Sequence, residues 1–174
     1  PVAIIGFLFD DIIDTVLYTP LVIAITLIVY GILFILIEKT KKDHPKDSLG
    51  LITYKDALLI GIFQVLALIP GTSRSGATIL GAILLGASRT VAAEFSFFLA
   101  IPMMFGASFL KLIKAGFSWT PFEWSVLATG TIVAFVVSLL VIHFLMDYVK
   151  KHDFTTFAYY RIGLALVVLT LLFV

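Results

Sequence analysis

Long apolar runs alternate with short polar segments along this chain, which is typical of a protein that crosses a membrane several times. Crossing the hydrocarbon core takes about 20 mostly apolar residues in a helix. Four runs of about this length predict spanning helices, at about residues 21–37, 91–110, 122–146 and 157–174. The polar residues 147–152 between the last two predict a turn at the membrane surface.

The apolar segment at about residues 57–87 differs because a polar break, Pro70–Gly76, divides it. Each apolar flank has about 13 residues or fewer, which is too short to cross alone. Two short helices joined by a polar break predict a re-entrant hairpin that enters and leaves on one side. Irregular backbone at that depth is tolerated only where it is buried in protein or lines a wet cavity.

Composition supports a single all-α polytopic membrane domain over residues 1–174. The chain is 61% hydrophobic and 13% charged, with a mean hydropathy of +1.14, whereas soluble domains carry about 25% charge. The absence of cysteine excludes a disulfide scaffold and a Cys-ligated metal site. Twelve Lys and Arg nearly balance eleven Asp and Glu, so we expect no nucleic-acid partner.

Lysines in the loops predict the orientation of the helices, because cytoplasmic loops are enriched in basic residues. Residues 38–55 hold five lysines and residues 147–153 hold two. If the segment at 57–87 is re-entrant, both loops lie on one face, which is then cytoplasmic, and Lys111 and Lys114 lie on the other. A full crossing would instead place the two basic loops on opposite faces.

Arg74 is the most informative candidate for chemistry. An arginine at membrane depth costs at least about 2.5–3.5 kcal/mol on insertion scales, so it is normally retained for an anionic partner. The hydroxyls of its neighbours and the N-terminal end of a second short helix, which we expect near Ser75, add hydrogen-bond donors. Glycines allow backbone N–H groups to approach an anion closely. We therefore predict phosphate binding by Gly71, Thr72, Ser75 and Thr78 around Ser73 and Arg74.

A purely structural interpretation stays open beside this one. Pro70 and Gly71 can simply break a helix, and Arg74 can pair with Glu94, an acidic residue near the start of a span. Gln64 lies in an apolar helix and is either polar glue between helices or part of the site. We treat Gln64 and Glu94 as supporting candidates.

Several segments resemble one known family. Residues 70–78, PGTSRSGAT, are similar to the PGxSRSxxT signature of the undecaprenyl-diphosphatase (bacitracin-resistance) family. The run before the motif, residues 64–69, and residues 93–102 and 160–163 also resemble family segments in the same order. Four matches spread over the chain make the resemblance specific.

The resemblance implies an integral enzyme of the bacterial cytoplasmic membrane that hydrolyses undecaprenyl diphosphate, an isoprenoid diphosphate lipid, to the monophosphate. This reaction recycles the lipid carrier for peptidoglycan synthesis and confers bacitracin resistance. The family fold consists of inverted-topology repeats with two re-entrant hairpins that meet in mid-membrane. The family's catalytic serine and arginine correspond to Ser73 and Arg74, and its motif threonine to Thr78. The resemblance also implies a divalent cation, Mg²⁺ or Ca²⁺. A homo-oligomer is a separate expectation that the resemblance does not supply.

The chain departs from the family in one respect. The acidic ExxxE stretch and the histidine of the family's first hairpin match nothing in residues 1–174. We therefore expect the chain to be roughly the last two thirds of the enzyme, inactive alone, with the metal ligands and any base for Ser73 outside it.

A phosphate-lipid flippase is the alternative function, because helices broken in the middle of the membrane are also typical of transporters. A structural helix bundle is a third possibility.

Overall fold

The computed structural model describes residues 1–40, 45–116 and 118–172. Lys41, Lys42 and His44 of the lysine-rich loop lie outside the described residues. The described part is helical and contains no strand, apart from one isolated bridge between Lys46 and Ala87. The all-α prediction is therefore confirmed.

The described residues form seven successive α-helices, and two of them are extended by turns of another helix type. They are α1 (Val2–Ile12, continued by a π-helical turn at Ile13–Leu17), α2 (Pro20–Lys39), α3 (Tyr54–Phe63, continued by a 3₁₀ turn at Gln64–Leu68), α4 (Arg74–Leu84), α5 (Arg89–Ala115), α6 (Pro121–Lys151) and α7 (Thr155–Leu172). A short 3₁₀ turn, Leu49–Leu51, precedes α3.

Four of these helices, α2, α5, α6 and α7, are long and apolar enough to cross a membrane. They contain nearly all of the four sequence ranges predicted to span. The predicted polar turn at 147–152 is wrong for most of its length, because α6 continues through Lys151. Backbone hydrogen bonds do not require apolar side chains, and Lys150 and Lys151 favour the negative end of a helix dipole.

Hydroxyl side chains start most of the helices. An N-cap oxygen accepts a hydrogen bond from an amide of the first turn that has no partner within the helix. Such bonds are made at the start of α2, α3, α4, α5 and α6 by Thr19, Thr53, Ser73, Ser88 and Thr120. The helix boundaries thus follow local sequence signals even in this apolar chain.

Helices α3 and α4 form the hairpin, and the chain folds back between them. Gly81 of α4 lies so close to Phe63 at the end of α3 that a Cβ atom there would be 2.6 Å from the Phe63 ring. The absence of a side chain at Gly81 is what allows the two short helices to pack at this distance.

The two ends of the hairpin lie together at Lys46. The Lys46 N–H donates to the Gly86 carbonyl at 3.1 Å, and the Ser88 N–H donates to the Lys46 carbonyl at 2.9 Å. The Lys46 ammonium also lies 2.7 Å from the Asp56 carboxylate, at the start of α3. Together with hydrogen bonds from Thr53, it lowers the pKa of Asp56 to about 2. The chain thus leaves the hairpin beside its point of entry, as a re-entrant segment requires.

Helices α2 and α7 pack closely beside the hairpin. Gly31 of α2 leaves room for Ile162 of α7, whose Cγ1 atom would be 2.7 Å from a Cβ at that glycine. Glu38, at the end of α2, accepts hydrogen bonds from the Arg89 guanidinium and from the Phe154 N–H. One carboxylate therefore joins the ends of α2, α5 and α7 at the same face.

The core lies between α2, α4 and the adjoining ends of α5, α6 and α7. By contrast, the apolar stretch of α6 is exposed along its length. In a membrane protein such a surface faces lipid or another protein segment rather than water.

Candidate functional site

A cavity of about 240 Å³ adjoins the start of α4. Its polar lining consists of three serines, a tyrosine and an arginine: Ser73, Ser75, Ser96, Tyr160 and Arg161. The rest of its wall is mainly aromatic and aliphatic, formed by Phe34, Ile79, Ala93, Phe97, Leu145, Val149, Phe154 and Phe157, with Gly76 beside the serines. The cavity therefore combines hydrogen-bond donors with a largely apolar wall.

Ser73 occupies the N-cap of α4. Its Oγ accepts a hydrogen bond from the Gly76 N–H at 3.1 Å and lies 3.0 Å from the Ser75 Oγ. Helix α4 thus begins at Arg74, one residue before the predicted start. A helix N-terminus carries partial positive charge and amides without intrahelical partners, so this end of the cavity favours an anion.

Thr78 lies one turn further along α4, behind the cavity wall. Its hydroxyl is 2.7 Å from the hydroxyl of Ser96 on α5, and both residues are buried. It also lies within hydrogen-bond distance of the Arg74 and Ser75 carbonyls. Thr78 is therefore not among the lining residues, but its hydroxyl contacts Ser96, which is.

Arg161 of α7 was not singled out as a site residue from the sequence. Its Nη2 donates to the Gly71 carbonyl at 2.7 Å, and its guanidinium carbon lies 5.6 Å from the centre of the Tyr30 ring. The Nε atom is buried and has no hydrogen-bond partner among the described residues. The signal was present, because Arg161 interrupts an apolar run just as Arg74 does.

The tip of the hairpin, Pro70 and Gly71, is held by α2 as well as by α7. Thr26 of α2 donates to the Pro70 carbonyl at 2.7 Å. Gly71 has a φ of +86°, and a Cβ there would lie 2.1 Å from the Thr26 Oγ1. Gly71 is therefore required by backbone conformation and close packing. It does not contribute to the lining of the cavity, and neither does the buried Thr72.

The side chains of Arg74 and Gln64 both contact the sulfur atom of Met103 on α5. The Arg74 Nη1 lies 3.8 Å from it and the Gln64 Nε2 lies 2.6 Å from it. Arg74 does not line the cavity in this conformation. Within the described residues it forms no ion pair with Glu94 or with any other carboxylate. A thioether is a weak acceptor, so this contact holds the guanidinium only weakly.

The described residues do not provide a metal site. They include no group of three or more His, Cys, Asp or Glu side chains able to hold an ion, and no carboxylate is among the residues that line the cavity. Hard cations such as Mg²⁺ and Ca²⁺ need oxygen ligands, chiefly carboxylates. The lining of the cavity, as far as the described residues form it, therefore does not fit the divalent cation implied by the resemblance.

Comparison with known proteins identifies the family. The sequence profile described as "Bacitracin resistance protein BacA" matches residues 1–167. The chain belongs to this family. Membership agrees with the four helices that are able to cross a membrane, and indicates a multi-pass membrane protein.

Curated members of the family are closely similar to the chain. The protein named "Undecaprenyl-diphosphatase 1" of Clostridioides difficile (strain 630) is 61% identical over 173 residues, which cover 99% of this chain and 63% of that protein. Proteins named "Undecaprenyl-diphosphatase" of Enterococcus faecalis and Acetivibrio thermocellus are each 59% identical, over 97% of this chain and 62% of theirs. The chain thus spans less than two thirds of the length of these relatives.

Proposed function

We propose that the complete protein hydrolyses undecaprenyl diphosphate to undecaprenyl phosphate and inorganic phosphate, and that this chain supplies part of its phosphate-binding site. The observation that carries the proposal is the mixed lining of the cavity at the start of α4. Serine hydroxyls and Arg161 are among its polar groups, and aromatic and aliphatic side chains form most of its wall. A lipid with a charged head group and an apolar tail needs both kinds of lining. The names of the relatives support the same substrate.

In this proposal the polar groups of the cavity bind the terminal phosphate. The first turn of α4 and the nearby hydroxyls donate hydrogen bonds to its oxygens, where charge is concentrated during phosphoryl transfer. The oxygen of water forms a bond to the terminal phosphorus while the bond to the bridging oxygen breaks. The lipid monophosphate leaves with that oxygen, and the water proton passes to a base.

Ser73 acts in this proposal as an orienting donor. The alternative, a serine nucleophile, needs a base, which we expect outside this chain, and the described hydrogen-bond partners of Ser73 Oγ are the Gly76 N–H and the Ser75 hydroxyl. Neither takes up a proton at neutral pH. As an N-cap acceptor, the Ser73 oxygen is fixed in place, and when Ser75 donates to it, the Ser73 proton is available for a phosphate oxygen.

Arg74 is the proposed clamp for the diphosphate. Its side chain would have to turn from Met103 towards the cavity when the lipid binds. The hydrogen bond to Met103 that such a rotation would break is weak, and a guanidinium can bind two phosphate oxygens at once. The divalent cation and the homo-oligomer remain predictions.

The test is phosphate release by the purified complete protein in detergent micelles, where no gradient exists. With undecaprenyl diphosphate we expect one phosphate per lipid, and strongly reduced release from Ser73→Ala. The control is Ser138→Ala, on the exposed face of α6, which should behave like the wild type. Residues 1–174 alone should release none. Lipid translocation in vesicles without phosphate release in micelles would instead establish the flippase.

A further inference from the structure

Ser96 is a buried serine on α5 that lines the cavity. Its neighbours Ala93 and Phe97 are apolar and also form the wall. A hydroxyl among such residues is costly to bury without a hydrogen bond. The Ser96 side chain has one described partner, the Thr78 hydroxyl at 2.7 Å.

The possible hydrogen bonds of this pair are limited by the number of protons. Thr78 Oγ1 lies 3.2 Å from the Arg74 carbonyl, 3.1 Å from the Ser75 carbonyl and 2.7 Å from Ser96 Oγ. Carbonyls only accept, so Ser96 is the one member of this set that is able to donate to Thr78. When Thr78 donates to a carbonyl, Ser96 donates to Thr78, and its proton points away from the cavity.

A second arrangement of these hydrogen bonds needs only the rotation of the O–H bonds of Thr78 and Ser96. Thr78 can donate to Ser96, which leaves the Ser96 proton free to point into the cavity. The two helix carbonyls lose little, because both can accept backbone N–H bonds within α4. An anion in the cavity would favour this arrangement, since hydrogen bonds to charged groups are the stronger ones.

We propose that Ser96 is a further phosphate-binding residue, whose hydroxyl donates to a phosphate oxygen while Thr78 donates to Ser96 from behind. This proposal rests on the proposed function, because it concerns the same cavity. It adds a donor from α5 to those from α4 and α7, so that a bound phosphate contacts three helices.

The test compares Ser96→Ala with Ser138→Ala in the complete protein. Removing Ser96 leaves no buried donor unpaired, since Thr78 keeps its carbonyl acceptors. Ser96→Ala should therefore fold with a melting temperature close to that of the wild type. We expect the KM for undecaprenyl diphosphate, and the inhibition constant of inorganic phosphate, each to rise about tenfold. Ser138→Ala should leave both constants unchanged.

Two results would overturn the proposal. One is a folded Ser96→Ala protein with wild-type KM and wild-type inhibition by phosphate, and this result would leave the proposed function intact. The other is a lowered melting temperature with both constants unchanged, which would show that Ser96 only packs α5 against α4.

Direct binding separates this proposal from the proposed function. If the wild type releases no phosphate from the lipid, the proposed function fails, and binding of labelled inorganic phosphate decides the role of Ser96. A loss of about tenfold in affinity on Ser96→Ala would support the role. Equal affinity, or no binding by the wild type, would reject it.

Discussion

Two arginines lie near the break of the hairpin, and they are held in different ways. Arg161 is fixed by a hydrogen bond to the Gly71 carbonyl and by the Tyr30 ring. Among the described residues, the one hydrogen-bond partner of the Arg74 guanidinium is a thioether sulfur. A fixed guanidinium can shape a site before substrate arrives, whereas a weakly held one can move to the substrate.

This difference predicts the effect of replacing Arg74 by lysine. Arg74→Lys keeps the charge but loses the planar fork, so we expect kcat for phosphate release to fall about 10²–10³-fold, as on the loss of other charge-stabilising donors. The melting temperature should change little, because the Met103 contact is weak. Phosphate release in micelles and thermal unfolding measure the two effects.

Arg89→Lys is the matched control, since Arg89 pairs with Glu38 at the face of the helix bundle and does not line the cavity. It should retain wild-type turnover. Normal turnover by Arg74→Lys as well would exclude Arg74 as the clamp.

At the scale of single residues, the sequence identified only part of the cavity lining. Ser73 and Ser75 could be predicted because they adjoin an arginine in a short polar break. Ser96 could not be assigned a role, because a single serine in an apolar helix gives no sign of which face it occupies. Its place beside Thr78, 18 residues earlier, depends on the packing of α4 against α5.

At the scale of elements, the hairpin depends on its tip. Pro70 and Gly71 predict a break from sequence alone. The bonds that fix the tip come from Thr26 and Arg161, 44 and 90 residues away. Such distant partners leave no local pattern, so the support provided by α2 and α7 could not be predicted.

Gly71→Ala should disrupt the contacts by which α2 and α7 hold the tip of the hairpin. The backbone conformation is unfavourable for an L side chain by roughly 1–2 kcal/mol, and the new Cβ would lie 2.1 Å from the Thr26 Oγ1. We expect a lower melting temperature and a loss of phosphate release. Thermal unfolding in detergent and the micelle assay measure both.

Gly130→Ala on α6 is the control, because no atom of the described residues lies within 4 Å of its added Cβ. It should be as stable as the wild type or slightly more so, since alanine favours a helix. If Gly71→Ala matched this control in both measurements, the tip would not need its glycine.

For the whole molecule, the joined ends of the hairpin determine the topology. If the hairpin does not cross the membrane, α5 and α6 are the only helices among the described residues that cross it between Asp47 and Lys151. Both residues then lie on one face, and Lys114, in the last turn of α5, lies on the other. The 174 residues contain no cysteine, so cysteines introduced singly can report on this arrangement.

We expect a membrane-impermeant maleimide to label Lys114→Cys in intact cells. Asp47→Cys and Lys151→Cys, both exposed, should be labelled only after permeabilisation. Any cysteine elsewhere in the complete protein would first be replaced by serine. Labelling of Asp47→Cys and Lys151→Cys from opposite sides would show that residues 57–87 cross the membrane fully.

The hydrogen bond between Arg161 and Gly71 has a consequence for biosynthesis. Ribosomes add about 5–20 residues per second, so the 90 residues between these partners take roughly 5–18 seconds to make. During that interval the nascent hairpin can close at Lys46, but its tip lacks its partner on α7. A chain released early by a stalled ribosome, before α7, would therefore carry the serines without Arg161, and could not assemble the complete set of polar groups that line the cavity.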